Sequence, residues 1–118
     1  MKFTDATRAQ TLETFTALVN LSPADLRKWL KSAESKSVGF VRTGETESVG
    51  RQSAKAILKI KGKKKAQLTD ADYTHMRKVI GYIRRHRAQR PRGDVSHTRW
   101  RYSLMNWGHD PLQEEYER

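Results

Sequence analysis

The sequence predicts an all-α fold, a compact single domain of about five helices. Three observations carry this reading. Apolar residues recur every three to four positions along most of the chain. A Ser, Thr or Asp stands at the head of each such stretch, where its side chain can cap a helix. Pro and Gly fall at the boundaries, at Pro23, Gly62, Pro91, Gly93, Gly108 and Pro111.

The first helix is expected from about Thr4 to Val19, capped by Thr4 or Asp5, with Leu12, Phe15, Leu18 and Val19 on one stripe. The second opens at Ser22-Pro23-Ala24-Asp25, with serine as N-cap, proline in the first turn and Asp25 against the helix dipole, and ends near Ser32 or Ala33. Residues 34–48 are rich in Ser, Thr, Gly and charge and read as a loop. The third helix runs from about Val49 to Lys61, with Val49, Ala56, Ile57 and Ile60 on its apolar side. A basic linker follows over residues 61–68. The fourth is capped by Thr69, carries Asp70 and Asp72 in its first turn, and places Met76, Val79, Ile80 and Ile83 on a core stripe. Arg90-Pro91-Arg92-Gly93 stops it. The last element spans about Asp94 to Trp107, with Asp94 as cap, Trp100, Leu104 and Trp107 inward, Gly108 as C-cap and Pro111 as a stop. Residues 1–112 make the domain, and the acidic residues 113–118 read as a frayed tail.

Composition sets the limits. Hydrophobic residues are 36% of the 118, and Val, Ile, Leu and Phe together are just under a fifth, close to where a highly charged chain ceases to fold. Three Trp, four Tyr and three Met offset this, because large side chains bury large areas. A thin core follows. The absence of cysteine removes disulfides, thiolate metal sites and thiol nucleophiles, and fits an intracellular location. No apolar run approaches the ~20 residues that span a bilayer, and residues 1–21 lack the pattern of a secretory signal. No membrane association is expected.

The net charge is +11, and its distribution is uneven. Residues 51–101 hold sixteen Lys and Arg against three carboxylates, whereas residues 1–50 are nearly neutral and residues 102–118 are acidic. Uncompensated like charge opposes compaction, and a polyanionic partner relieves it. Phosphate recognition needs several cations that reach one backbone together. Arg51, Lys55 and Lys59 form a row at i, i+4 and i+8, which Lys63, Lys64 and Lys65 extend. Arg84, Arg85 and Arg92 crowd the end of the fourth helix. Lys36 precedes Ser37-Val38-Gly39, which recurs as Ser48-Val49-Gly50. The repeat reads either as chance or two similar helix starts, or as a pair of backbone sites, Ser37, Gly39, Ser48 and Gly50, whose amides face phosphate. The expected partner is nucleic acid, duplex DNA first, with RNA or an acidic protein as alternatives. A weaker reading places Arg51, Gln52 and Lys55 at the start of a base-reading helix, but the linker before it is far longer than a helix-turn-helix turn.

Other chemistry finds little support. No phosphate loop, nucleophile elbow or paired-acid motif occurs, so no catalytic residues are assigned. A magnesium nuclease built on Asp70, Asp72 and Asp94 is weakened because each is explained as a helix cap. His75 and His86, and His97 and His109, are too far apart for an i, i+4 metal pair; His75 reads as a surface or partly packed residue and His109 as part of a terminal turn. Neither metal nor cofactor is expected. The dense aromatics of residues 98–111 read as core, with base stacking on exposed rings as the alternative.

Several of these runs resemble one family. They are residues 34–39 (Glu-Ser-Lys-Ser-Val-Gly), 47–50 (Glu-Ser-Val-Gly), 68–73 (Leu-Thr-Asp-Ala-Asp-Tyr), 75–82 (His-Met-Arg-Lys-Val-Ile-Gly-Tyr), 89–91 (Gln-Arg-Pro) and the long block 98–111 (Thr-Arg-Trp-Arg-Tyr-Ser-Leu-Met-Asn-Trp-Gly-His-Asp-Pro). Over roughly residues 9–112 the chain resembles the domain-of-unknown-function family three-one-four-zero, small bacterial and fungal proteins often labelled DNA-binding. The resemblance implies no catalytic residues and no mechanism. It gives weight to the Ser-Val-Gly pair as two helix starts that present amides to phosphate.

Overall fold

Ser and Thr at the i−3 position of a backbone N–H set out most of the helices. The computed structural model describes the backbone of residues 3–116 and side chains through residue 113. Within it α1 (Asp5–Leu18), α2 (Pro23–Leu30), α3 (Ala33–Lys36), α4 (Val49–Lys61), α5 (Asp70–Arg87) and α6 (Arg99–Asn106) each start behind a hydroxyl N-cap. The caps are Thr4, Ser22, Ser32, Ser48, Thr69 and Thr98, and each accepts from the N–H three residues on. Such a cap stabilises a helix by about 1 kcal/mol. A 3₁₀ turn (Lys65–Gln67) interrupts the basic linker, and α7 (Pro111–Tyr116) ends the described chain.

The all-α expectation holds: the described residues form helices and connections, gathered in one globule with a radius of gyration of 14.4 Å. Three local expectations are corrected. Residues 34–48 are not all loop, because Ser32 caps the one-turn α3. Asp94 does not cap the last long helix. It accepts from the Ser96 N–H in a turn, and Thr98 caps α6 four residues later than expected. Pro111 does not stop a helix but begins α7, where its missing N–H costs nothing. α7 runs on to Tyr116, into the tail expected to fray from residue 113, and residues 117–118 lie outside the described ones.

The thin core is built by interlocking helices. α1 lies along α5, while α6 touches α2, α3, α4 and α5. Phe15, Leu26, Ile57, Met76, Ile83 and Leu104 are fully buried. The expected stripe of α4 holds at Ile57 and Ile60, but Val49 and Ala56 are only half-buried, and Gly50, Ser53 and Ala54 complete the buried side. Gly50 lets α6 approach closely, since a Cβ there would lie 3.0 Å from Trp107 Nε1 and 3.3 Å from Asn106 Cβ.

The end of α6 is a clasp, not a surface turn. Gly108 adopts φ +83°, as expected of a C-cap, and its carbonyl accepts from Leu21 N–H at 3.1 Å. His109, fully buried, donates from Nδ1 to the Leu18 carbonyl at 2.6 Å. Asp110 N–H donates to Asn20 Oδ1, and Asn20 Nδ2 donates back to the Asp110 carbonyl. Residues 108–110 therefore hold the α1–α2 turn in place.

Candidate nucleic-acid interface

The fold uses some cations of the basic block and leaves others on the surface. Arg51 is used. Its guanidinium turns inward from α4, donating from Nη1 to the Leu30 carbonyl at 2.8 Å and to Ser35 Oγ at 2.7 Å, with Nε on Glu47 at 3.3 Å. Its side chain is 13% exposed, so it joins α4 to α2 and α3. Gln52 donates to Glu45 Oε1 and the Glu47 carbonyl and steadies the loop before α4. Lys55 points outward, but Glu47 takes its ammonium at 2.7 Å, and that hydrogen bond holds the Glu47 carboxyl below the ordinary carboxylate range. The expected row of Arg51, Lys55 and Lys59 thus retains only Lys59 as an exposed residue with no ion-pair partner among the described residues.

The Ser-Val-Gly pair divides. Ser48 caps α4 and is buried, and Gly50 is packed under α6. Ser37 is instead the C-cap of α3: its N–H and its hydroxyl both donate to the Glu34 carbonyl. The first copy is a helix end, which presents carbonyls rather than amides, and the expectation of two helix starts is corrected for it. Val38 is buried, and Gly39 takes φ +101°, where a Cβ would crowd Ser48 at 2.9 Å. Both glycines serve close packing. Lys36, at the end of α3, is exposed.

In the linker, Lys63 pairs with Asp72 at 2.6 Å. Burial opposes ionisation of Asp72, but hydrogen bonds from Lys63 and Thr69 outweigh it, and the carboxyl titrates below its ordinary range. Lys61 donates to the Val19 carbonyl at the end of α1, and burial lowers its ammonium pKa. Lys64 and Lys65 are exposed. On α5, Arg84 and Arg85 are exposed, as are Arg92 and Arg99 beyond it. Arg101 is used: Nε and Nη2 grip both oxygens of Asp110 at 3.1 and 3.0 Å, and Nη1 donates to the Ser96 carbonyl.

Eight cations of the block remain: Lys59, Lys64, Lys65, Lys78, Arg84, Arg85, Arg92 and Arg99 are exposed and make no ion pair among the described residues. Lys59 is on α4 and Arg92 and Arg99 lie beyond α5; the other five follow α5. Lys64 and Lys65 lie by its first turn, where Lys63 meets Asp72, and Arg84 and Arg85 lie in its last. At 1.5 Å per residue these ends are ~20 Å apart. Lys78 sits between them, two turns from Arg85 on the same side of the helix. Sequence reasoning counted Lys78 only among the sixteen cations of the basic block, and it assigned nothing to Phe40 and Val41, the exposed large apolar side chains of the loop before α4. No periodicity marks that loop.

The three histidines with clear surroundings are structural. His75 Nε2 lies 3.0 Å from Ser53 Oγ, His86 contacts the Trp100 carbonyl, and His109 is in the clasp. Trp100 and Trp107 are buried, as the core reading of the aromatic block expects. Among the described residues no three metal-ligating side chains gather, and no helix is long and apolar enough to cross a membrane.

No curated protein and no solved structure matches this chain. One family profile does, over residues 14–105, and its description is protein of unknown function (DUF3140). The matched span takes in the end of α1, all of α2 to α5 and most of α6, and with it the basic block. On that match the chain belongs to the DUF3140 family.

Proposed function

We propose that the protein binds the phosphate backbone of nucleic acid, duplex DNA first, with little dependence on base sequence, in an architectural or accessory role and without catalysis. The observation that carries this reading is the set of eight exposed cations that no carboxylate of the described residues neutralises. Five of them, Lys64, Lys65, Lys78, Arg84 and Arg85, span ~20 Å along α5, which matches about six base pairs of duplex at 3.4 Å each. Arg51, Gln52 and Lys55, the residues a reading helix would use, are engaged within the protein, which favours backbone contact over base readout.

The test is fluorescence anisotropy of a labelled duplex of about 20 base pairs at low and moderate salt, where each phosphate contact steepens the log–log slope by ~0.9. All eight contacts would give a slope near −7, and even three predict a loss of well over tenfold between about 50 and 200 mM salt. Lys64→Glu with Lys65→Glu, and Arg84→Glu with Arg92→Glu, should weaken binding to unrelated duplexes equally. No binding at low salt overturns the reading and leaves the basic surface to an acidic protein. Tighter binding to single-stranded or duplex RNA moves the same contacts to RNA.

A further inference from the structure

A cleft opens where the N-terminal end of α4 meets α5 and α6. Its volume is about 310 Å³, at the lower end of the range of small-molecule sites. The floor is aromatic, with Tyr82 and Trp107 stacked at a centroid distance of 4.2 Å and 13° between planes. Phe40, 73% exposed, stands at the edge with Val49. Among the described residues, Lys78 and Arg85 are the only charged ones of the lining, and neither has an ion-pair partner there.

One of the three indole N–H groups opens into the cleft without a partner among the described residues. Trp29 donates its indole N–H to Asn106 Oδ1 at 2.8 Å, and Trp100 donates to the His86 carbonyl at 2.7 Å. Trp107 Nε1 has no acceptor among the described residues, and it lies beside Gly50, where a Cβ would stand 3.0 Å from it. Glycine leaves this donor uncovered. The Asn106 amide, also in the lining, is satisfied by Trp29 and Ser35, so it adds shape and not hydrogen bonds. An apolar floor, two cations and an open N–H call for an acceptor that carries charge. The positive end of the α4 dipole acts in the same sense.

We infer that this cleft binds a small planar anion, an aromatic ring system bearing one carboxylate. The ring lies between Phe40 and the Tyr82–Trp107 floor, and the carboxylate meets Arg85, Lys78 and the Trp107 N–H. A single carboxylate suits the two cations, because a guanidinium takes both its oxygens side by side while an ammonium acts as a point charge. This inference does not rest on nucleic-acid binding and can fail or hold separately.

Heteronuclear spectra of the indole N–H groups test it, with 2-naphthoate as probe and the neutral 2-naphthalenemethanol as control. Trp107→Phe identifies the Trp107 signal. Naphthoate should shift that signal saturably while the Trp29 and Trp100 signals stay in place, and the alcohol should bind at least tenfold more weakly, the effect of about 1.4 kcal/mol. Arg85→Gln with Lys78→Gln, both exposed and free of structural contacts to acids, should lower naphthoate affinity by a similar factor without changing the melting temperature. Gly50→Ala should cover the donor and weaken binding further. Absence of a saturable shift at millimolar naphthoate, equal binding of the alcohol, or unchanged affinity in the Arg85→Gln, Lys78→Gln variant would each overturn the inference.

Discussion

His86 and Trp100 each donate a ring N–H to the other's main-chain carbonyl: Trp100 Nε1 to the His86 oxygen at 2.7 Å, and His86 Nε2 to the Trp100 oxygen at 3.2 Å. The rings lie nearly parallel, 15° apart. This reciprocal pair closes the irregular stretch between α5 and α6 and seats α6, the helix that touches four others, against the end of α5.

The pair makes stability depend on pH. Burial lowers the pKa of His86, against the smaller opposing effect of its bond to Trp100. Burial, then the nearby Lys78 charge, lowers that of His75. Both are depressed relative to an ordinary histidine near 6.5. The unfolded chain therefore takes up protons first as pH falls. The stabilisation is full above about pH 6.5 and is lost as pH drops through the folded values, at no more than ~1.4 kcal/mol per pH unit for each histidine. Urea unfolding measured at neutral and mildly acid pH should show that slope. His75→Gln with His86→Gln should flatten it, and an unchanged slope in the double variant would assign the acid sensitivity to other groups.

Asn106 is the polar centre of the core. Buried to 1% exposure, it accepts from Trp29 Nε1 and Ser35 Oγ and donates to the Ser35 carbonyl, while Arg51 donates to the same Ser35 hydroxyl. One amide thereby connects α2, α3 and α6, with α4 joined through Arg51. Asn106→Leu strands two donors and a carbonyl in an apolar setting and should cost about 2–4 kcal/mol, read by chemical denaturation. A cost under ~1 kcal/mol would mean water replaces the lost partners.

Gly108 should tolerate no side chain. Its φ is +83°, and a Cβ would stand 2.7 Å from Val19 Cγ1. Val19 is itself buried between the end of α1 and the clasp. Gly108→Ala combines left-handed strain with overpacking and is expected to cost roughly 2–4 kcal/mol. Gly93, with φ +82° but open space around it, is the matched control: Gly93→Ala should cost only the backbone strain, about 1 kcal/mol. Equal melting temperatures for the two variants would remove the packing role of Gly108.

The helices were legible in the sequence because their signals are local. A hydroxyl that accepts from an N–H three residues on, and an apolar stripe repeating every 3.6 residues, involve only neighbouring positions. So α4 begins and ends where its pattern does, from Val49 to Lys61, and α5 follows its cap at Thr69. α3 was missed because four residues hold barely one turn and no period. Asp94 looks like a cap in sequence because a turn and a helix start use the same aspartate acceptor, whereas the hydroxyl of Thr98 takes the cap position.

By itself the sequence determined the fold class, the positions of the long helices, and a basic block in the middle of the chain. Only the tertiary structure decided which of those charges remain available. Arg51 and Lys59 lie on one helix and look alike in sequence, yet Arg51 meets Leu30 and Ser35, 21 and 16 positions away, and Lys59 meets solvent. The cleft over Trp107 is decided in the same way, by residues of α4, α5, α6 and the loop before α4. The physical reason is range: caps and periodicity act within a turn or two, whereas the exposure of a charge depends on which distant groups the packed chain brings against it.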